Sequence, residues 1–140
     1  MDSKAISLLT KERVCVVAVT LRDGSPHVAE VHYSEQLDPI ILFIQTYPTV
    51  KVRSLQENGG VGKAAVVLNL TESEMMSLQM RGNLNIVTDP QELEKIYDVH
   101  YKKHPEAEKY KDSETVFLKF TPTWWRYSDF NTDPEIVIES

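Results

Sequence analysis

The sequence of 140 residues has one cysteine, Cys15, no long apolar run and no block of basic residues. A single cysteine excludes a disulfide within the chain and favours a reducing compartment. No window reaches the ~18 apolar residues of a membrane span, and the N-terminal segment lacks the apolar stretch of a signal peptide, so we expect a soluble, cytoplasmic protein. With a net charge of −6 and no basic cluster, neither a nucleic acid nor a membrane is expected as a partner.

Several motifs of enzyme chemistry are also absent from the sequence. It contains no phosphate-binding P-loop, no dinucleotide-binding GxGxxG, no HExxH, no paired CxxC and no GxSxG. His100 and His104 are spaced i, i+4 on a predicted helix and could clamp a metal ion, but no third ligand is evident nearby. Two histidines at a helix C-terminus also interact favourably with the helix dipole. We therefore predict no metal site.

The composition and the residue patterns predict a mainly β (α+β) fold. With 41% hydrophobic and 26% charged residues, the chain has the size and mix of a single domain over residues 1–140. Alternating or continuously apolar segments predict six strands, and Asp23-Gly24 is a typical hairpin turn. No βαβ repetition occurs, so we expect a small antiparallel β-barrel with peripheral helices. The predicted strands are residues 14–21, 26–34, 40–46, 63–70, 77–88 and 115–128, and the helices are residues 3–13, 49–58 and a segment capped by Asp89.

The segment TYPTVKVRSL, residues 46–55, raises a question about charge. A helix capped by Thr49 would carry Lys51 and Arg53 near its N-terminus, where the helix dipole disfavours positive charge. A threonine hydroxyl, a lysine ammonium and the unpaired N–H groups of the first turn could together hold a phosphate. A lysine whose stem reaches away into solvent would explain the same spacing. The spacing alone leaves both interpretations open.

The order of segments around this stretch resembles a known family. An Asp-Gly hairpin is followed by SPHVAEVHY, IILFIQT, PTVKVRSLQENGG, KAAVVLNL and SLQMRGNLNIVTD, then by a helix and an aromatic-rich last strand. This succession, from about Leu9 to Asp129, is similar to the pyridoxamine 5′-phosphate oxidase-like FMN-binding split barrels, and especially to the short proteins related to general stress protein 26. The resemblance implies a six-stranded antiparallel split β-barrel that forms a homodimer with FMN at the subunit interface.

The resemblance also implies cofactor-binding residues. The family's phosphate-binding segment usually reads Ser-Arg-Lys, and Thr49 and Lys51 match two of its three positions, whereas Val50 replaces the arginine. His27 stands where many members have an arginine that reaches the phosphate. The second strand would run along the flavin ring, and a second subunit often supplies an aromatic or basic group. The remaining implied contacts are Val28, Ala29, Glu30, Val31, Thr46, Gln79, Trp125 and Arg126.

The function implied is a flavin-dependent oxidoreductase that acts on an unidentified small molecule. The chain lacks the basic C-terminal segment with which pyridoxamine-phosphate oxidases hold their substrate, so we do not expect it to make pyridoxal phosphate. No residue stands out as a catalytic acid or base. The missing arginines leave open a second interpretation, a non-catalytic stress-response protein that binds flavin, haem or a deazaflavin, with His27 or His32 as a candidate haem ligand. A barrel that has lost its ligand and binds a protein partner is a third.

Overall fold

The computed structural model describes residues 1–69 and 72–140, which form eight strands, three α-helices and one 3-10 helix. The helices are α1 (Ser3–Lys11), α2 (Val50–Gln56) and α3 (Pro90–Lys103), and the 3-10 helix is Pro105–Tyr110. The strands are β1 (Val14–Thr20), β2 (Pro26–His32), β3 (Ser34–Leu37), β4 (Ile40–Thr46), β5 (Val61–Leu68), β6 (Met76–Val87), β7 (Val116–Asp129) and β8 (Ile136–Glu139).

All six predicted strands and three predicted helices are confirmed, whereas the two shortest strands, β3 and β8, were not predicted. The second strand was expected to continue to Ser34, but it ends at His32. The buried Tyr33 donates its backbone N–H to the carbonyl of Arg13, and from Ser34 onwards the chain pairs with β4. The predicted end of the fourth strand at Leu70 lies outside the described residues.

The strands form one antiparallel sheet in the order β2-β1-β5-β6-β7-β4-β3, and β8 pairs with β7. Although β2 and β4 lie near opposite ends of this order, they contact each other. The sheet therefore curls on itself into the predicted split barrel, with seven strands in its path rather than six. Every strand neighbour is antiparallel, as the predicted hairpins require.

The inside of the curled sheet forms the main core. On β1, Cys15, Val17 and Val19 are buried, whereas Val16 and Ala18 face the outer side and are half-buried. This alternation follows from the period of two along a strand. Burial raises the pKa of the Cys15 thiol to about 12, so Cys15 acts as an apolar core residue.

Strands β6 and β7 approach each other very closely at Gly82. Their register shifts between Arg81 and Gly82. A Cβ atom at Gly82 would lie 2.1 Å from the carbonyl oxygen of Thr121 and 2.8 Å from the Cα atom of Pro122. Because both contacts are with backbone, only glycine fits this position.

Helix α3 covers one end of the sheet. The Asp89 side chain accepts a hydrogen bond from the backbone N–H of Glu92, and Pro90 takes the first helical position, as predicted. Ile96 packs with Phe43 and Phe117 in a second, smaller cluster. No helix of the described residues has the length and apolar character needed to cross a membrane.

Candidate functional site

Lys51 is the unusual residue of the segment between β4 and α2. It is only 4% exposed, so the interpretation of a solvated lysine is wrong. Its ammonium donates to the hydroxyl oxygens of Thr49 and Thr46 at 3.2 and 3.4 Å, which are long hydrogen bonds. No carboxylate of the described residues pairs with it. Burial without a counter-ion lowers the pKa of Lys51.

Thr49 occupies the cap position of α2 but does not cap the helix. Its side chain makes no capping hydrogen bond, because its oxygen instead accepts from Lys51. The predicted cap is therefore wrong in its hydrogen bond, although its position is correct. With only seven residues, α2 has a weak dipole, so the Lys51 ammonium is the main positive group here.

Lys51 lines a cavity of about 510 Å³ at the ends of β2 and β4. Five of the predicted site residues meet in it: Glu30, Val31, Thr46, Thr49 and Lys51. Lys51 is the one lysine or arginine among the described residues that line the cavity. An ammonium has three N–H donors, and only two of them have partners, the threonine hydroxyls, through long hydrogen bonds. The cavity thus presents a buried, incompletely satisfied cation flanked by two hydroxyls, which can hold a phosphate or another small anion.

The far side of this cavity comes from α3 and the 3-10 helix, which the sequence interpretation did not include. His100 and His104 are each 1% exposed. His100 Nδ1 lies 2.8 Å from the Ser34 hydroxyl, and His104 Nε2 donates to the Tyr33 carbonyl at 2.6 Å. Burial lowers the pKa of His104, and it lowers that of His100 to about 4, so both rings are neutral near pH 7. His32, which the sequence analysis named only as a candidate haem ligand, lines the cavity too, and the other lining residues missed are Gln45, Tyr47, Glu106, Ala107 and Tyr110.

The i, i+4 spacing of the two histidines suggests from sequence only a possible metal clamp. Each ring already has a protein hydrogen-bond partner. Within residues 1–69 and 72–140, no three histidine, cysteine or acidic side chains are placed to hold a metal ion. The pair therefore belongs to the wall of the cavity.

Other predicted residues lie on the outer face of the sheet. Val28 and Gln79 line a mainly apolar groove of about 520 Å³ together with Trp124, and Val28 is 62% exposed. Glu30 pairs with Val16 of β1, which pairs with Val67 of β5. Val67 pairs with Gln79 of β6, and Gln79 pairs with Arg126 of β7, so Glu30, Gln79 and Arg126 lie in one row across five strands. Glu30 thus belongs both to this face and to the rim of the Lys51 cavity.

The remaining predicted residues do not reach the cavity within one chain. Trp125 packs against the core, and Arg126 is exposed, 3.7 Å from Glu139. Val50 is exposed on the other side of α2, and His27 and Ala29 are half-buried on the inner side of β2. His27 and Val50 stand where the family resemblance implies arginines. Neither residue lines the Lys51 cavity.

Comparison with known proteins places this geometry in a family. A family model described as pyridoxamine 5′-phosphate oxidase matches residues 1–129. The chain belongs to this family. No curated protein sequence matches the chain.

Solved structures share the fold of this family member at low sequence identity. A protein from Clostridium acetobutylicum related to general stress protein 26 of Bacillus subtilis superposes with a TM-score of 0.72 at 15% identity, over 97% of this chain and 92% of that one. An FAD-binding protein from Mesorhizobium loti gives 0.67 at 16%, over 89% and 92%. A haem-binding protein from Mycobacterium smegmatis gives 0.74 at 14%, over 100% of this chain but 58% of that one. These likenesses establish the fold alone.

Proposed function

We propose that the chain is an FMN-binding flavoprotein and that it acts as a flavin-dependent oxidoreductase on a small molecule. One observation carries the proposal: Lys51 is 4% exposed, has no carboxylate partner among the described residues and lines a cavity with the Thr46 and Thr49 hydroxyls. A phosphate bound there would supply the missing negative charge. Membership of the pyridoxamine 5′-phosphate oxidase family and a fold shared with an FAD-binding protein support a flavin as the carrier of that phosphate.

The residues present fit a flavin phosphate, with fewer cations than the family resemblance implies. Lys51 would compensate the charge of the phosphate, and the hydroxyls of Thr46 and Thr49 would donate to its oxygens. The carboxylates of Glu30 and Glu106 also line the cavity, and Glu106 is neutralised by Arg13 at 2.6 Å. FMN carries the hydride or electron chemistry of such proteins, and the chain binds and orients it. We therefore expect modest rather than very tight affinity.

A homodimer is part of the proposal. The outer-face groove with Val28, Gln79 and Trp124 is mainly apolar and open to solvent in one chain. Covering it with a second copy would remove exposed apolar surface and bring residues of that copy towards the first copy's cavity. Trp125 and Arg126, which do not line the Lys51 cavity of their own chain, are the predicted contributions from the second subunit.

A titration with FMN tests the function. Protein added to FMN should quench its fluorescence to saturation at one FMN per chain. Lys51→Met should abolish most of the affinity, whereas Lys95→Met, which removes an exposed lysine of α3 that does not line the cavity, should leave it unchanged. Unquenched fluorescence with the parent protein would refute FMN binding. Turnover is tested by the reoxidation of a reduced nicotinamide cofactor with an electron acceptor, which a simple flavin carrier would not accelerate.

Haem is the second candidate ligand. His32 is exposed and lines the same cavity, beside the buried His100 and His104. Its ring is nearly perpendicular to that of His104, with 5.3 Å between the ring centroids and 78° between the ring planes. Haem bound by His32 would give an intense Soret band that disappears in His32→Ala, whereas FMN would give the flavin bands in both proteins.

A further inference from the structure

The cavity that contains Lys51 has a second polar side, formed by Gln45, His104 and Glu106 and here named the acceptor wall. The Oε1 atom of Gln45 and the Nδ1 atom of His104 are buried and lack a hydrogen-bond partner in the described part of the chain. Native proteins pair nearly all of their buried polar atoms. Two unpaired atoms beside one cavity therefore indicate a bound group.

The two unpaired atoms of the acceptor wall both accept hydrogen bonds. The Tyr33 carbonyl can only accept, so the 2.6 Å contact places the proton of the His104 ring on Nε2 and leaves Nδ1 with a lone pair. Gln45 uses its Nε2 to donate to the Ala107 carbonyl, so its oxygen is the unpaired atom. Glu106 Oε1 lies 3.7 Å from His104 Nδ1. This oxygen already accepts from Arg13 at 2.6 Å and has no proton to donate, so it leaves His104 Nδ1 unpaired.

A ligand can reach this wall from the solvent side. The Glu106 side chain is 52% exposed, although the two unpaired atoms behind it are covered. Gln45 holds the 3-10 helix through one hydrogen bond of 3.3 Å to Ala107, which is long. A ligand donor reaches the two covered atoms only when the segment around Ala107 moves, while the Tyr47 hydroxyl, which donates to the Tyr110 carbonyl at 2.6 Å, holds the end of the 3-10 helix.

We infer that the acceptor wall is a binding subsite for hydroxyl or N–H groups of the molecule whose phosphate Lys51 holds. This inference rests on the proposed function, and in FMN the donors are the ribityl hydroxyls and the N–H of the flavin ring. The subsite selects phosphorylated molecules that donate hydrogen bonds over simple anions. It also supplies by hydrogen bonding some of the affinity that the family resemblance assigns to arginines at His27 and Val50.

Two substitutions of one residue separate binding from structure. In His104→Gln the amide nitrogen can still donate to the Tyr33 carbonyl, but no atom replaces Nδ1. In His104→Asn the amide oxygen lies near the position of Nδ1, but the side chain is too short to reach Tyr33. We expect His104→Gln to weaken FMN binding about tenfold while its thermal unfolding stays close to that of the parent. We expect His104→Asn to keep FMN affinity within about twofold and to unfold at a lower temperature.

The measurements are FMN fluorescence titrations at a temperature at which all three proteins are folded, each repeated with inorganic phosphate as competitor. The inhibition constant of phosphate should be the same for His104→Gln and the parent, because phosphate needs only the Lys51 side. Equal FMN affinity of His104→Gln and the parent, or losses that follow stability in both variants, would overturn the subsite alone. A parent protein that fails to bind FMN would overturn the proposed function and the subsite with it.

Discussion

Replacing Lys51 with methionine is expected to stabilise the protein and at the same time to remove most of its affinity for FMN. The ammonium is buried and has only two long hydrogen bonds, both to threonine hydroxyls. This burial lowers the pKa of Lys51. Methionine has a similar length and no charge, so the cost of burying an unpaired cation disappears. Lys51→Met should therefore behave as a stabilising substitution at a functional site.

The size of both effects follows from the burial and the contacts. Stabilising substitutions of this kind contribute about 1–2 kcal/mol to the free energy of unfolding, which raises the melting temperature of a chain of this length by about 3–7 °C. A charge-assisted hydrogen bond to a phosphate contributes about 1.5–3 kcal/mol to binding. Its loss weakens FMN affinity by about 10-fold to 150-fold.

Urea unfolding of the parent and of Lys51→Met, each without FMN and with excess FMN, measures both effects in one experiment. Without FMN the variant should be the more stable protein. With excess FMN the difference in the free energy of unfolding between the variant and the parent should become smaller or change sign, because a ligand stabilises only the protein that binds it. Lys95→Met, at an exposed position of α3, is the matched control and should follow the parent in both conditions. A Lys51→Met protein that is less stable without FMN and equally stabilised by it would refute the reasoning.

Three further predictions concern the histidine cluster, the closest strand contact and the dimer. The pKa of His100 is 6.5 in an unfolded chain and about 4 in the folded one, so its contribution to stability is complete above pH 6.5 and is lost between pH 6.5 and 4. Urea unfolding should show a loss of about 1.6 kcal/mol between pH 6.5 and 5, which is smaller in His100→Gln; equal losses would contradict the assignment. Gly82→Ala should destabilise the protein by about 3 kcal/mol or more, whereas Gly62→Ala, which meets only a side-chain methyl, should cost less in the same assay. Val28→Glu, on the outer face, should convert a dimer into a monomer in sedimentation velocity, and an unchanged sedimentation coefficient would contradict the proposed interface.

The elements that could be predicted from the sequence are those specified by local signals. A valine-rich run that is apolar on both faces predicted β1, and Asp89 with Pro90 predicted the start of α3, because both signals depend on residues close in sequence. The short strands β3 and β8 could not be predicted in this way. Each has only four residues and pairs with the strand beside it in sequence, β3 with β4 and β8 with β7, so it shows too few alternations to be distinguished from a turn.

The structure brings the predicted residues around Lys51 together in one cavity, whereas most of the other residues that line it were not predicted. Thr46, Thr49 and Lys51 are within five residues of one another, so a sequence motif could identify them as a group. The acceptor wall joins Gln45 to His104 and Glu106, which are about sixty residues away and meet only because α3 and the 3-10 helix fold against the end of the sheet. The spacing of residues along the sequence could not predict that contact.

The visible absorption spectrum and the mass of the small molecule that copurifies with the native protein test the central claim most directly. If Lys51 holds the phosphate of FMN, the purified protein should show the flavin absorption bands and release a molecule with the mass of FMN, and the Lys51→Met protein should be colourless. A colourless parent protein that also leaves the fluorescence of added FMN unquenched would contradict the account.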